Sequence, residues 1–237
     1  MKLSAPAPRV PPALGKVIDV GARMNRIVPE GVAVGGAICA VYAQHRLSID
    51  IDFVLRNLSG EFDAVRDRLL DEPGWQEARV RRPHLILGSL DKVEIGFRQL
   101  RRRAPIETRL VQTEQGCLTI PTLEEMVRIK AFLAYERNYT RDLYDLAEMA
   151  CCLARDSVVQ ALLSLDEKMG WERQPTVLLE VIKALVHCEP RDWETHGFQS
   201  FRFLEPRLKT WEEVKAICQD VGQLLAEKAI KGHGDAP

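Results

Sequence analysis

Several features are scarce in this chain, and each scarcity closes off a class of function. None of its cysteines (Cys39, Cys117, Cys151, Cys152, Cys188 and Cys218) stands in C-x-x-C spacing with another, which argues against a structural zinc site. No stretch approaches the ~20 consecutive apolar residues that a membrane-spanning helix needs, so no membrane partner is expected. The N-terminus opens on one lysine followed by prolines and alanines, without an apolar h-region. Scattered cysteines without a secretion signal point to a reducing cytoplasm. A charge excess is missing as well: 33 Lys and Arg stand against 34 Asp and Glu, a formal net charge of −1 and a sequence pI near 6.5. A protein that coats long nucleic acid would be more basic, so any nucleic-acid contact is expected to be local. No internal repeat is detectable.

What remains is ordinary soluble material, 237 residues with 46% hydrophobic and 28% charged side chains, enough for one large domain or two small ones. The chain is organised around Val32 to Leu55, VAVGGAICAVYAQHRLSIDIDFVL. A short apolar run, Val32 to Val34, is broken by Gly35-Gly36; Ala37 to Gln44 has helix-compatible spacing, and Ser48 to Leu55 favours a strand. Side chains alternate along a strand, so Ser48, Asp50 and Asp52 share one face while Ile49, Ile51 and Phe53 share the other.

The apolar face belongs to a core. The other sets two carboxylates side by side, and at about 4 Å two such charges repel by roughly 4 kcal/mol at an effective dielectric near 20. Such a pair holds a shared proton or a hard cation. Magnesium suits it, because Mg²⁺ takes one or two carboxylates together with substrate phosphates. A diglycine turn permits close backbone approach, and the helix behind it offers free N–H groups to a polyphosphate.

Gly35-Gly36, thirteen residues, then Asp50-Ile51-Asp52 resembles the signature of the DNA polymerase β-like nucleotidyltransferase superfamily. The fuller string GGAICAVYAQHRLSIDIDF, with His45-Arg46 and Ser48 ahead of the aspartates, is similar to the AbiEii/AbiGii abortive-infection toxin family. A second block, PTLEEMVRIKAFLAYERNYTRDLYDLAEMA, resembles that family's Lys, then Arg, then Arg-Asp-x-x-Asp region. The resemblance covers about residues 30–150.

It implies transfer of a nucleoside monophosphate from a nucleoside triphosphate to a hydroxyl, with Mg²⁺ on Asp50 and Asp52. The acceptor would be RNA, a tRNA 3′ end in the toxin reading, and a cognate antitoxin would be a partner. By the same match Gly35, Gly36, Ser48, Lys130 and Arg137 serve the nucleotide, and Asp145, or Asp142, sets the active-site charge network. A small-molecule acceptor and a non-catalytic nucleotide-binding module are the competing readings. Many family members carry Gly-Ser where this chain has Gly35-Gly36, so one side-chain phosphate contact is lost here.

In chain order, residues 1–13 contain four prolines and read as a loose arm. Leu14 to Val28 reads as a helix, Glu61 to Leu70 as an amphipathic helix, and Trp75 to Phe97 as strands with a hairpin connection at Gly88-Ser89-Leu90-Asp91. In Val93-Glu94-Ile95-Gly96-Phe97 the odd positions are apolar, so Glu94 points the other way and is the candidate third carboxylate, general base or metal ligand; Asp91, in the turn, is a weaker one. Arg98, Arg101, Arg102 and Arg103 form the dense basic cluster, read first as a solvated loop charge run and, as the sharper alternative, as a local hold on triphosphate or RNA backbone.

Ile106 to Ile120 reads as one or two strands. Thr122 and Glu125 make a capping box for a helix Leu123 to Arg137, and a second helix begins near Thr140. On the latter, Asp142 and Asp145 share a face, open to a salt bridge with Arg137 or Arg141. Beyond it, helices are expected at Asp156–Met169, Thr176–His187, Asp192–Leu204 and Trp211–Lys231, broken by Gly170, Pro175, Pro190 and Pro206, with the last five residues frayed. The expected fold is α+β: a small mixed sheet with helices on one side over residues 14–120, followed by a helical domain over 121–232.

Overall fold

The computed structural model describes residues 7–102, 104–169 and 176–234. A one-turn 3₁₀ helix at Pro12–Leu14 leads into α1 (Gly15–Ile27), then β1 (Val32–Val34), α2 (Gly36–Ala43), β2 (Asp50–Leu55), α3 (Leu58–Leu70), β3 (Gln76–Arg81), β4 (Leu85–Leu90) and β5 (Val93–Gln99). A separate hairpin, β6 (Thr108–Thr113) and β7 (Gly116–Pro121), precedes the helices α4 (Leu123–Glu136), α5 (Thr140–Ala150), α6 (Arg155–Leu163), α7 (Leu165–Met169), α8 (Val177–His187) and α9 (Trp211–Gly234). The architecture is α+β as expected, a mixed sheet with helices followed by a helical region.

The main sheet has five strands in the order β1-β2-β5-β4-β3. Only β2 and β5 run parallel; the other neighbours are antiparallel. One face of it is core. Ile51 and Phe53 of β2 meet Ile95 and Phe97 of β5 in register, and the two phenylalanine rings stack at 5.1 Å between centroids. The hydrophobic core continues without a break from Leu14 through Met126 and Tyr144 to Leu225, across the boundary expected at residue 120.

Several local expectations are corrected. The β4–β5 connection is the two-residue turn Asp91-Lys92, both at positive φ (51° and 68°), the twist that two-residue hairpins favour; Gly88, Ser89 and Leu90 are strand. The proline-rich arm is docked where it is described, with the Arg9 N–H donating to the Val41 carbonyl at 3.0 Å and Pro11 buried. Residues 1–6 of that arm, the breaks at Gly170 and Pro175, and the end of the chain past residue 234 lie outside the described residues. The helix expected at 156–169 divides at Ser164 into α6 and α7.

The helix expected at Asp192–Leu204 does not form beyond the 3₁₀ turn Phe198–Ser200. Its backbone serves long-range partners instead: the Leu47 N–H donates to the Arg202 carbonyl and the Leu204 N–H to the His45 carbonyl, at 2.8 and 2.9 Å. Its rings close on Tyr144, with Phe198 at 5.0 Å and Phe201 stacked at 5.4 Å. Half of the capping box is present. Thr122 accepts from the Glu125 N–H at 3.2 Å, but the Thr122 N–H donates to the Glu107 carbonyl, and the buried Glu125 carboxylate pairs with Arg102 and Arg128.

Candidate functional site

Strand register assembles the acidic face. Asp50 lies opposite Glu94 and Asp52 opposite Gly96 on the parallel neighbour. Residues opposite one another in a sheet project to the same side, so Asp50, Asp52 and Glu94 share the face that the core does not use. Asp50 and Glu94 are exposed and Asp52 is half-buried. Ser48 donates its hydroxyl to Asp50 Oδ1 at 2.6 Å, and Arg98 donates Nε to Asp52 Oδ1 at 3.1 Å.

Gly96 makes room for this arrangement. A Cβ there would lie 2.3 Å from Asp52 Oδ1 and 3.1 Å from a Leu87 methyl, so the Asp52 carboxylate occupies the hollow over a residue without a side chain. A glycine inside an alternating strand was the available signal, since such glycines mark close approach of another group; sequence reasoning assigned it no role.

The diglycine bend closes the site at the start of β2. Val34 pairs with Asp52 in the antiparallel ladder, which carries the next residues of the chain toward Asp50. Gly35 has φ 98° and ψ −167°, a region essentially reserved for glycine. It caps α2, and the Cys39 N–H donates to its carbonyl at 3.1 Å. Gly36 matters for another reason: a Cβ at that position would lie 2.6 Å from Arg46 Nη2 and 2.8 Å from Ser48 Oγ. The space that a serine would fill at residue 36 is thus taken by Arg46 and Ser48.

Arg46 links the bend to a buried ionic cluster. Its guanidinium grips Asp145 at both oxygens, Nε to Oδ1 at 2.6 Å and Nη2 to Oδ2 at 2.8 Å. His45 Nε2 donates to Oδ1 at 2.8 Å, and Lys130 Nζ lies 2.7 Å from Oδ2. Lys130 also donates to Asp142 Oδ1 at 2.8 Å, and Arg137 stands 3.5 Å from Asp142 Oδ2. Asp145, Asp142 and His45 have no exposed surface.

Burial pushes the Asp145 carboxyl up, but Arg46, Lys130 and His45 together hold it well below the usual carboxylate range. For Lys130, burial is likewise outweighed, by Asp145 and Asp142, and its ammonium is held above its ordinary value. Burial dominates at His45 and lowers it. The ring is therefore neutral near pH 7, donating through Nε2, and Nδ1 has no partner among the described residues.

The predicted residues thus divide in two. Gly35, Gly36, Ser48, Asp50, Asp52 and Glu94 come together at the open face. Lys130 and Asp145 sit behind it in the buried cluster, with Arg137 at its partly exposed rim. The basic cluster separates too. Arg98 faces the acids, Arg102 is buried against Glu125 and the Ala104 and Pro105 carbonyls, and Arg103 lies outside the described residues. Arg141 makes no pair with Asp142 or Asp145; its guanidinium sits 5.3 Å over the Tyr139 ring. Among the described residues no group of three or more His, Cys, Asp and Glu side chains is placed to hold a metal, and no helix is long and apolar enough to cross a membrane.

The structure of MenT4, a nucleotidyltransferase toxin of Mycobacterium tuberculosis H37Rv, matches 90% of this chain and 82% of its own at a TM-score of 0.59 and 15% identity. The two share a fold. An antigenic nucleotidyltransferase-like protein of Paracoccidioides brasiliensis gives a TM-score of 0.46 at 16% identity over 68% of this chain and 90% of its own, too low to bear on the fold. The heme uptake protein MmpL11 of M. tuberculosis is 30% identical over 132 residues, 54% of this chain; the chain spans 13% of that protein's length. No family model matches, so the likeness to the AbiEii/AbiGii toxins rests on the two sequence blocks.

Proposed function

We propose that this protein is a magnesium-dependent nucleotidyltransferase that moves a nucleoside monophosphate from a nucleoside triphosphate to a hydroxyl of RNA, a tRNA 3′ end in the AbiEii-like toxin reading, with a cognate antitoxin as protein partner and the cytoplasm as its setting. The observation that carries the proposal is the register that gathers Asp50, Asp52 and Glu94 on one open face beside the diglycine bend, in a fold shared with a nucleotidyltransferase toxin.

The donor set fits magnesium. Asp50 and Asp52 offer hard carboxylate oxygens from one strand on an exposed face, and an Mg²⁺ site needs one or two carboxylates completed by water and phosphate rather than a full protein cage. When bound, the ion would neutralise charge on the phosphates during an in-line displacement.

The chain's own groups divide the remaining work. The amides of the bend receive the β- and γ-phosphates, aided by the positive end of α2. Ser48 orients the Asp50 carboxylate through its hydroxyl. Glu94 takes the proton of the acceptor hydroxyl; that oxygen bonds to the α-phosphorus, the bond to the β-phosphate oxygen breaks, and pyrophosphate leaves with the electron pair. Arg98, on Asp52, is placed to meet a phosphate oxygen. Asp145 and Lys130 are positioning residues, because they reach the bend only through Arg46. Arg137, partly exposed, is the better placed of the two predicted cations to meet a phosphate.

The test is incubation with each labelled nucleoside triphosphate and total cellular RNA, with and without Mg²⁺, comparing the wild type with Asp52→Ala. Label should enter RNA only with magnesium and the wild type. Equal labelling by Asp52→Ala refutes the proposal.

A further inference from the structure

The open face of the sheet does not end at the acids. Following the ladders outward from Asp52, the next positions are Gly96 on β5, Leu87 on β4 and Arg79 on β3. The adjacent row runs from Val54 through Arg98 and Leu85 to Arg81. Both rows project to the side that carries Asp50 and Glu94. A bulge between Glu77 and Arg79 resets the alternation of β3, so that Glu77 turns to the covered side, where it pairs with Arg66 of α3, while Arg79 and Arg81 stay on the open side. Strands lie about 4.8 Å apart, which sets the β3 arginines roughly 14 Å from the aspartate strand.

Exposure and charge fit this geometry. Arg79, Arg81 and Arg98 are exposed, and Leu85 and Leu87 between them are half-buried. Arg98 is paired with Asp52, whereas Arg79 and Arg81 have no acidic partner among the described residues. The face therefore grades from three carboxylates at the starts of β2 and β5 to three guanidinium groups around an apolar floor. Basic side chains along a track suit the phosphates of a single nucleic-acid strand, and the leucine floor offers the bases apolar contact in place of the aromatic stacking that such grooves commonly use.

We propose that the outer part of this sheet face, Arg79, Arg81 and Arg98 over Leu85 and Leu87, is the docking platform for a single-stranded RNA acceptor, leading its terminal hydroxyl to Glu94 and the aspartates. The inference deepens the nucleotidyltransferase reading and depends on it for the destination of the strand, though not for the binding itself. The net charge of −1 is consistent with such a confined contact, since only a few phosphates need be met.

The test uses the full chain with a fluorescein-labelled mixed-sequence single-stranded RNA of twelve nucleotides, read by anisotropy across a salt series, beside transfer of labelled nucleotide to the same RNA. The variants are Arg79→Gln/Arg81→Gln and, as a charge-matched control on α9, Lys228→Gln/Lys231→Gln. Each phosphate contact to a single strand contributes about 0.7 to the slope of log K against log salt. The platform variant should therefore lose about 1.4 in slope and bind more weakly, while the control and the magnesium–triphosphate affinity stay as in wild type. Unchanged melting curves would show that both variants fold, as expected for exposed positions. An unchanged slope in the platform variant overturns the platform, as does failure of wild type to bind the RNA. Loss of triphosphate affinity in place of RNA affinity overturns it too. Slope loss in a protein that transfers no nucleotide leaves the platform standing and removes the enzymatic reading.

Discussion

Replacing Gly96 by alanine separates the acidic site from the stability of the sheet that carries it. The new methyl carbon would stand 2.3 Å from Asp52 Oδ1, where ordinary contact begins near 3.4 Å. The carboxylate must then withdraw by about 1 Å, and a misplacement of that size in a reacting constellation costs on the order of 100-fold in rate, about 2.7 kcal/mol of transition-state stabilisation. The cost in folding should be far smaller. Asp52 is half-buried and can rotate, its ion pair with Arg98 is partly solvated and worth at most ~1 kcal/mol, and alanine in a strand interior regains some of the entropy that glycine loses. We expect kcat/KM for labelled nucleotide transfer to fall roughly 100-fold, with a matching loss of affinity for the magnesium triphosphate by calorimetry and a Tm within a few degrees of wild type. A variant that binds and transfers like wild type would show that the hollow over Gly96 has no part in placing Asp52. A variant whose loss of activity merely follows its loss of fold would refute the separation.

The buried cluster supports three further predictions. Asp145→Asn leaves Arg46 and Lys130 short of a counter-charge in the interior, which costs about 3–5 kcal/mol; a Tm lower by roughly 6–20 °C follows for a chain of this size and is readable by scanning calorimetry. The pH dependence has a definite sign. His45 is lowered in the folded state, so the unfolded chain takes up a proton that the native state refuses, and stability falls as pH drops below the unfolded value of about 6.5. Asp145 is also lowered, so its contribution is present above the unfolded value near 3.9 and is lost as pH falls toward the folded one; Asp145→Asn should flatten that acid limb in denaturant titrations. Gly36→Ala should cost about 1–3 kcal/mol by overpacking, more than Gly96→Ala, because its methyl meets an arginine held at both ends of a buried carboxylate; equal Tm values for the two variants would contradict this.

Legibility followed the range of the interaction. Elements whose pattern is local were readable: the Asp50–Leu55 part of the strand expected over Ser48–Leu55, the diglycine bend, the Thr122 cap and the start of α5 lie where the sequence put them, whereas Ile49, expected on the core face, is exposed ahead of the strand. The partners of those elements were not readable, because nothing local specifies them. His45-Arg46 stood in the sequence beside the aspartates without an assignable role, and Asp145 is about a hundred residues away; only the fold makes it their acceptor. The Asp192–Leu204 segment misled for a related reason. Its apolar spacing suits a helix, but the backbone at Arg202 and Leu204 is taken by Leu47 and His45 and its rings by Tyr144. Arg98 to Arg103 looked like one patch because neighbouring charges look alike in a string, whereas strand and loop geometry sends Arg98 to the open face and Arg102 into the interior.

The persistence of so many charges in the interior needs an explanation beyond stability, because a buried ion pair is often no more stable than well-packed apolar residues of the same volume. Position supplies one. Asp145 lies on α5 and Lys130 on α4, while His45 and Arg46 belong to the connection, residues 44–49, that delivers the chain to β2. Apolar packing would tolerate small slips among these elements. Two-point recognition of a carboxylate by a guanidinium does not, since it fixes direction as well as distance. Arg46 so held bears on Gly36, and Ser48 bears on Gly36 and Asp50. The helical region is thereby connected to Asp50, the acid proposed to hold the metal, through side chains fixed by hydrogen bonds and close contact, which is what a site tolerant of less than 1 Å of error requires of the structure behind it.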